Sequence, residues 1–177
     1  MFFTTRKSFI IVGNLPRKIF KISALCIFST KGKNAKDLEK YIASLVESWA
    51  NEFFTGYNPE YWSSKFGFEV SPNWRFAEHE QITDAETLRL IVEEVHKHKL
   101  EVFINLNAWY YTGETFPLIE KMIKEFEEIW VDWIICWNIW VLEYLKDKGY
   151  KITFDKTVIN RIYELNKQEE YGARPLK

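Results

Sequence analysis

The chain alternates short apolar runs with segments of helical period, and this alternation limits the folds open to it. The runs KISALCIF (21–28), NEFFTGY (51–57) and LEVFINLN (100–107) have the composition of β-strands. Segments 36–48, 83–99 and 116–129 place apolar residues three and four positions apart, as amphipathic helices do. Strands and helices that alternate in this way indicate parallel βαβ units. We therefore predict an α/β fold.

Local signals set the expected ends of the helices. Asn34 is a predicted N-cap, and Thr83 with Glu86 three residues later has the spacing of a capping box. Pro117 suits the first turn of the helix that contains it. Residues 58–81 are rich in turn-forming residues, and we predict a long irregular loop there.

The segment EEIWVDWIICWNIWVLEYL (127–145) allows two interpretations. Its tryptophans are spaced three, four and three apart, which is the seam of a coiled coil or of a helix that docks a partner. However, apolar residues occupy every face, so such a helix would have to be buried all round. The second interpretation ends a helix at Ile129, makes 131–136 a buried strand and starts a new helix that Gly149 closes. We favour the second because it keeps the βα alternation.

Length, charge and cysteine content restrict the class of protein. A chain of 177 residues predicts one domain, and a net charge of −1 gives no strongly basic face for nucleic acid. Cys26 and Cys136 lie in apolar runs, so we expect two buried free thiols in a reducing cytoplasm. The apolar run at 9–12 is too short to span a membrane. Residues 1–19 are interpreted as a poorly specified leader.

Several blocks in order resemble one known family. These blocks are KISALCIF, ANEFFTGYNPEYWSSKFGFEVSPN, EVFINLNAWYYT, and KEFEEI followed by VD and II. They are similar to the N-terminal part of the collagenase-like peptidases, which are of unassigned catalytic type. The resemblance covers residues 20–150 and implies about half of a (β/α)8 barrel. It also implies a peptide or tRNA-related substrate, because some members are linked to hydroxylation of tRNA or of ubiquinone precursors. Some members hold an iron–sulfur cluster in a downstream cysteine-rich segment, so no cofactor is expected in this chain.

Tryptophan stands where this family has glycine, at positions 49, 130, 133, 137 and 140. The chain has eight tryptophans and only seven glycines, an unusual ratio. So many large side chains in place of glycine would overpack a barrel. In some bacterial lineages the codon UGA encodes glycine. We hypothesise that these five residues are recoded glycines that were translated as tryptophan.

The last 26 residues, 152–177, resemble a different family. Their YGARPLK block is similar to the end of Clp-type AAA+ chaperone ATPases, where its arginine, here Arg174, contacts bound nucleotide. The chain contains no GxxxxGK[ST] phosphate loop, so the preferred interpretation of Arg174 is an exposed C-terminal arginine. We predict a leader (1–19), a partial barrel (20–150) and a Clp-like tail (151–177). A chimeric reading frame with a junction near KGYKI (148–152) would explain them.

The candidate substrate-binding residues follow from the predicted fold, because parallel α/β folds place their sites at the carboxyl ends of the strands. They are Thr55, Tyr57, Asn73, Arg75, Asn107 and Tyr110. Arg75 suits the binding of an anionic substrate group, and Asn107 suits the orientation of such a group. No catalytic residue is identified. His96 and His98 are two apart on a predicted helix, so they point apart and cannot share a metal ion.

Three hypotheses of function remain. The first is a fragment of a collagenase-like peptidase, inactive alone because half a barrel leaves two open sheet edges, through which copies could also associate. The second is a small α/β interaction module with an aromatic docking stripe. The third is a chaperone-related piece that binds nucleotide through Arg174.

Overall fold

The structure is a computed structural model that describes residues 8–11, 23–25, 35–73, 75–108, 111–136 and 138–154. The strands are β1 Ser8–Ile11, β2 Ser23–Leu25, β3 Glu52–Tyr57, β4 Gln81–Ile82, β5 Val102–Asn105, β6 Trp133–Ile135 and β7 Lys151–Phe154. The α-helices are α1 Ala35–Glu47, α2 Glu60–Phe66, α3 Ala85–Lys97, α4 Phe116–Ile129 and α5 Ile139–Asp147. A short 3₁₀ helix covers Glu78–Glu80. None of the described helices is long and apolar enough to cross a membrane.

All strands form one parallel sheet in the order β2-β3-β5-β6-β1-β7, with β4 beside the end of β3. The helices α1, α3 and α4 connect β2, β3, β5 and β6, which are neighbours in chain order apart from β4. This confirms the predicted α/β class with parallel βαβ units, and the succession is consistent with part of a barrel. Within this strand order, β2 and β7 stand at the two ends.

The helices cover one face of the sheet. Phe53, Ile104 and Ile134 point to that face, are almost fully buried and share one core with α1, α3 and α4. On the other face, Phe54, Phe103 and Trp133 lie side by side by register, and the rings of Phe103 and Trp133 stack 6.1 Å apart. Phe54 and Trp133 stay partly exposed. In the described part of the chain the helices cover the first of these faces only, which resembles the wall of a barrel, whereas a doubly wound fold covers both faces.

The predicted capping box of α3 is wrong. Its N-cap is Asp84 instead of Thr83, and the Asp84 carboxylate accepts a hydrogen bond of 2.7 Å from the Thr87 amide. A carboxylate at this position also interacts favourably with the helix dipole. Pro117 lies in the first turn of α4 as predicted, whereas the predicted cap Asn34 lies outside the described residues.

The prediction of an irregular loop over 58–81 is also wrong, because this segment contains α2, the 3₁₀ helix and the first residue of β4. The helix α2 has seven residues, too few for a clear helical period. Two side chains anchor it. Trp62 is buried, and its Nε1 donates a hydrogen bond of 2.6 Å to the Val70 carbonyl, while the Tyr61 hydroxyl donates a hydrogen bond of 2.9 Å to Glu125 of α4.

Two strands lie in segments that were not assigned to the barrel. The strand β1, which was not predicted, falls within the segment interpreted as a leader, yet it pairs in parallel with β6 on one side and β7 on the other. The strand β7 falls within the segment assigned to the tail. Both therefore extend the sheet beyond β6. The proposed domain boundaries at 19/20 and 150/151 remain predictions.

The tryptophan-rich segment divides as the favoured interpretation predicted. The helix α4 ends at Ile129, β6 follows, and α5 begins at Ile139 with Asn138 as its N-cap. The alternative, one continuous helix with a tryptophan seam, is wrong because Trp133 lies in a strand between two helices. Trp137 lies outside the described residues.

Four helices end in the same motif. At the end of α1, the Trp49 amide donates to the Val46 carbonyl and the Ala50 amide donates to the Leu45 carbonyl, which is the Schellman pattern with Trp49 in the left-handed conformation at C′. The corresponding residues after α3, α4 and α5 are Lys99, Trp130 and Gly149. Their φ angles are 60°, 68° and 78°, and that of Trp49 is 70°. Only glycine adopts this conformation without steric cost.

Candidate functional site

The side chains of β3 alternate between the two faces of the sheet, and this separates the candidate residues. The hydroxyl of Tyr57 donates a hydrogen bond of 2.9 Å to Glu125 of α4, and the Tyr57 ring packs edge-on against Phe126. Tyr57 therefore faces the helices, and Thr55, two residues earlier, faces the same way. Both predicted substrate-binding residues are buried behind the sheet. Burial, followed by the charge of Glu125, raises the pKa of Tyr57.

The opposite face of β3 carries Arg75. A Cβ atom placed on Gly56 would lie 2.6 Å from Cδ of Arg75 and 2.9 Å from Oδ1 of Asn73, so these side chains pack directly on the glycine backbone. The guanidinium carbon of Arg75 lies 5.8 Å from the ring centre of Phe54, close enough for a cation–π contact. Two predicted residues, Asn73 and Arg75, are thus brought together at the carboxyl end of β3.

A buried pair of amides holds the segment that carries Arg75. The Asn73 Nδ2 donates to the Tyr57 carbonyl at 3.0 Å and to the Gln81 side-chain oxygen at 2.7 Å. The Gln81 Nε2 in turn donates to the Arg75 carbonyl at 2.6 Å. These bonds tie the chain around Arg75 to both β3 and β4. Sequence analysis did not identify Gln81, because its role depends on a two-residue strand that has no sequence signature.

The remaining predicted residues lie beyond the next strand. Asn107 follows β5 by two residues, is half-buried, and its Oδ1 is buried without a hydrogen-bond partner. Tyr110 lies outside the described residues, so its place in the site stays a prediction. Asn58, which follows β3, is fully buried, and neither polar atom of its side chain has a partner. Sequence analysis missed Asn58.

Gly56→Ala tests whether this close packing positions Arg75. We expect the added methyl group to push Arg75 and Asn73 outward and to lower the free energy of unfolding by about 1 kcal/mol, at the low end for overpacking. Gly113→Ala is the matched control, because a Cβ there meets no atom within 4 Å. Urea denaturation of both variants checks this. Equal stabilities of the two variants would contradict the packing described.

Other ionisable groups lie away from this edge. The Asp132 carboxylate, just before β6, accepts a hydrogen bond from the Val102 amide at 2.9 Å and contacts His96 Nε2 at 2.8 Å. This places the His96–Asp132 pair at the amino-terminal edge of the strands, where it ties β5 to α3 and β6. His98 instead lies 3.7 Å from Glu94, so the two histidines contact different carboxylates.

Cys136 follows β6 and is buried and free, as predicted. Burial raises the pKa of its thiol to about 12, so the thiol stays protonated at neutral pH and is a poor nucleophile. Cys26 lies outside the described residues. Within the described part of the chain, no three His, Cys, Asp or Glu residues are grouped so that they could hold a metal ion.

A comparison with models of protein families matches residues 37–169 to Peptidase family U32, which is more than half of the chain. Comparisons with curated proteins and with solved structures gave no match. The matched range continues past Gly149 and through residues 148–152, where sequence analysis placed a junction. The resemblance of the tail to Clp-type ATPases has no support from these comparisons. Arg174 lies outside both the match and the described residues.

Proposed function

The chain belongs to peptidase family U32, and on this premise we propose that it forms part of a barrel that binds an acidic peptide at the carboxyl ends of its strands. The observation that carries the proposal is the position of Arg75 over Gly56 and Phe54. That position is on the face of the sheet that the helices leave partly exposed. It is also at the edge where parallel α/β folds bind their ligands.

Arginine suits this role for a physical reason. Its planar guanidinium presents donors in a fixed fork that matches the two oxygens of a carboxylate. Asn73 and Gln81 hold the amide and the carbonyl of Arg75, so little backbone freedom remains to be lost when a ligand binds. Asn107, at the end of the neighbouring strand, supplies a second polar contact.

The charge of the chain favours a peptide over tRNA as the ligand. Lysine and arginine number 24 against 25 aspartate and glutamate residues, which leaves no excess of positive charge to neutralise phosphates. We therefore place peptide first among the substrates that the family includes.

We propose that the chain on its own does not cleave peptides. Among the described strands, β2 and β7 have one neighbour each, and such edges are incomplete for a barrel and prone to pair with other chains. The described residues do not fit an iron–sulfur cluster, because their free cysteine is the single Cys136. We propose that the chain holds no cofactor and self-associates through its sheet edges. We also propose that it is cytoplasmic.

Two tripeptides test the binding proposal, acetyl-Ala-Glu-Ala-amide and its neutral isostere acetyl-Ala-Gln-Ala-amide. We expect the chain to bind the glutamate peptide about tenfold more tightly, which corresponds to about 1.4 kcal/mol. Arg75→Gln should abolish the preference. Arg89→Gln is the matched control, because Arg89 is exposed on α3. Equal affinities for the two peptides, or a preference that survives in Arg75→Gln, would contradict the proposal.

Inactivity and self-association are tested together. Mass spectrometry should recover both tripeptides intact after incubation with the chain, and light scattering should show a mass that rises with protein concentration. Cleavage by the purified chain would refute the proposed inactivity, and a constant monomer mass would refute association through the edges.

The structure gives no support to an aromatic docking stripe. Trp49 and Trp130 follow the ends of α1 and α4, at the amino-terminal edge of the sheet, whereas Trp140 lies in the first turn of α5 at the opposite edge. The three exposed tryptophans of the described residues therefore do not share one surface.

A further inference from the structure

Two buried amide side chains near Arg75 have polar atoms without partners. Asn58 has no exposed surface, and both its Nδ2 and its Oδ1 lack a hydrogen bond. The Oδ1 of Asn107 is also buried without a hydrogen-bond partner. Buried polar groups are nearly always hydrogen-bonded in folded proteins, because leaving one unpaired is costly. Two such groups in one place therefore indicate a function beyond stability.

The two amides follow neighbouring strands at the same edge of the sheet. Gly56 and Asn105 are the last paired residues of β3 and β5, and Asn58 and Asn107 each come two residues after that pair. Beyond it, the Asn58 amide bonds to the Ile82 carbonyl of β4 and the Leu106 amide bonds to the Ile135 carbonyl of β6. The strands are roughly 4.8 Å apart.

The alternation of side chains places both amides on the face that carries Arg75. Asn58 is two residues beyond Gly56, on which Arg75 packs, and so points to the same side. Two residues of strand span roughly 6.6 Å. Asn58 therefore lies roughly 6.6 Å along the strand from the glycine on which Cδ of Arg75 packs, whereas the guanidinium lies near Phe54, on the other side of that glycine.

The chemistry of the unpaired atoms defines what fits them. Asn58 offers one amide donor and one acceptor, and Asn107 offers a further acceptor. A peptide group presents an N–H donor and a C=O acceptor in one plane, so it can bond to both kinds of atom at once. We propose that Asn58 and Asn107 form a subsite that binds one peptide group of a ligand whose carboxylate is held by Arg75. This inference rests on the proposed function.

A matched pair of small acids tests the subsite. N-acetylglycine carries a peptide group and a carboxylate, and levulinate is the same molecule with a methylene in place of the N–H. We expect the full chain to bind N-acetylglycine about fivefold more tightly than levulinate, measured by NMR titration of the labelled protein. Asn58→Leu should reduce this ratio to about one and should also weaken levulinate binding, because the ketone oxygen of levulinate accepts from the same Asn58 donor. The exposed Asn51→Ala is the control.

The outcomes separate this inference from the proposed function. Equal binding of the two acids by the unaltered chain overturns the subsite but leaves carboxylate binding by Arg75 intact. Binding of neither acid overturns both. A ratio that persists in Asn58→Leu also overturns the subsite, and tighter binding of uridine 5′-monophosphate than of N-acetylglycine overturns the assignment to a peptide. If Asn58→Leu fails to fold, the comparison of the two acids on the unaltered chain decides alone.

Discussion

Asn73→Ala is expected to lower the free energy of unfolding by about 3 kcal/mol. The side chain of Asn73 is buried, and its Nδ2 serves both the Tyr57 carbonyl and the side-chain oxygen of Gln81. Removing it leaves two buried acceptors without a donor, each at a cost of about 1–3 kcal/mol. Urea denaturation measures the change, with the exposed Asn51→Ala as the control for losing an asparagine side chain.

The same variant connects the fold to the site. Without Asn73, the backbone amide of Arg75 loses the Oδ1 acceptor that it contacts at 3.3 Å, and Arg75 is no longer held over Gly56. Asn73→Ala should therefore also weaken binding of the glutamate tripeptide in conditions where the variant is folded. A loss of less than 0.5 kcal/mol in stability, roughly the effect of a surface substitution, would show that the amide pair does not hold this segment.

The double substitution Trp49→Gly and Trp130→Gly is expected to raise the free energy of unfolding by about 2 kcal/mol. Both tryptophans occupy the left-handed C′ position of a Schellman motif, which costs a residue with a side chain about 1–2 kcal/mol. Their side chains are 80% and 57% exposed, so glycine loses little buried area. The greater freedom of glycine in the unfolded chain offsets part of the gain.

Trp140→Gly is the matched control for these two substitutions. Trp140 is 65% exposed, like the other two, but it lies in the first turn of α5, where glycine is a poor helix former. This variant should lose up to about 1 kcal/mol. A loss of stability in the Trp49→Gly and Trp130→Gly variants as well would contradict the strain argument.

The gene itself tests the recoding hypothesis. If the two strained tryptophans are recoded glycines, their codons are UGA, whereas UGG codons at Trp49 and Trp130 would refute the hypothesis. The strain argument applies only to these two of the five positions. Trp133 stacks on Phe103, and neither it nor Trp140 has a positive φ angle. Trp137 lies outside the described residues.

The regular part of the fold could be predicted because its signals are local. The alternation of apolar runs and amphipathic helices determined the class. The charge-free run that begins at Trp133 was identified as part of a strand because a helix apolar on every face had no place in a small domain. The strand β1 could not be predicted. Its four residues resemble any short apolar run, and only its pairing with β6 and β7 makes it a strand.

The predicted binding residues divide between the two faces of the sheet, with Thr55 and Tyr57 towards the helices and Asn73 and Arg75 on the opposite face. Thr55 and Tyr57 lie at the end of a strand, as candidate residues should. However, successive side chains of a strand point to opposite faces, so a shift of one residue decides whether a side chain faces the ligand or the helices. The sequence signal for that choice was Gly56, because glycine in a strand marks a close approach of other atoms. Asn58 and Gln81 gave no signal, since their roles depend on contacts with distant residues.

NMR titration of the isotope-labelled chain with the glutamate tripeptide tests the account most directly. We predict that the largest shifts occur at the backbone amides of Gly56, Asn73, Arg75 and Asn107, together with the Nε–H of Arg75. The amides around Asp132 and His96, at the opposite edge of the strands, should not change. Shifts concentrated at that opposite edge, or no shifts at saturating peptide, would contradict a binding site at the carboxyl ends of the strands.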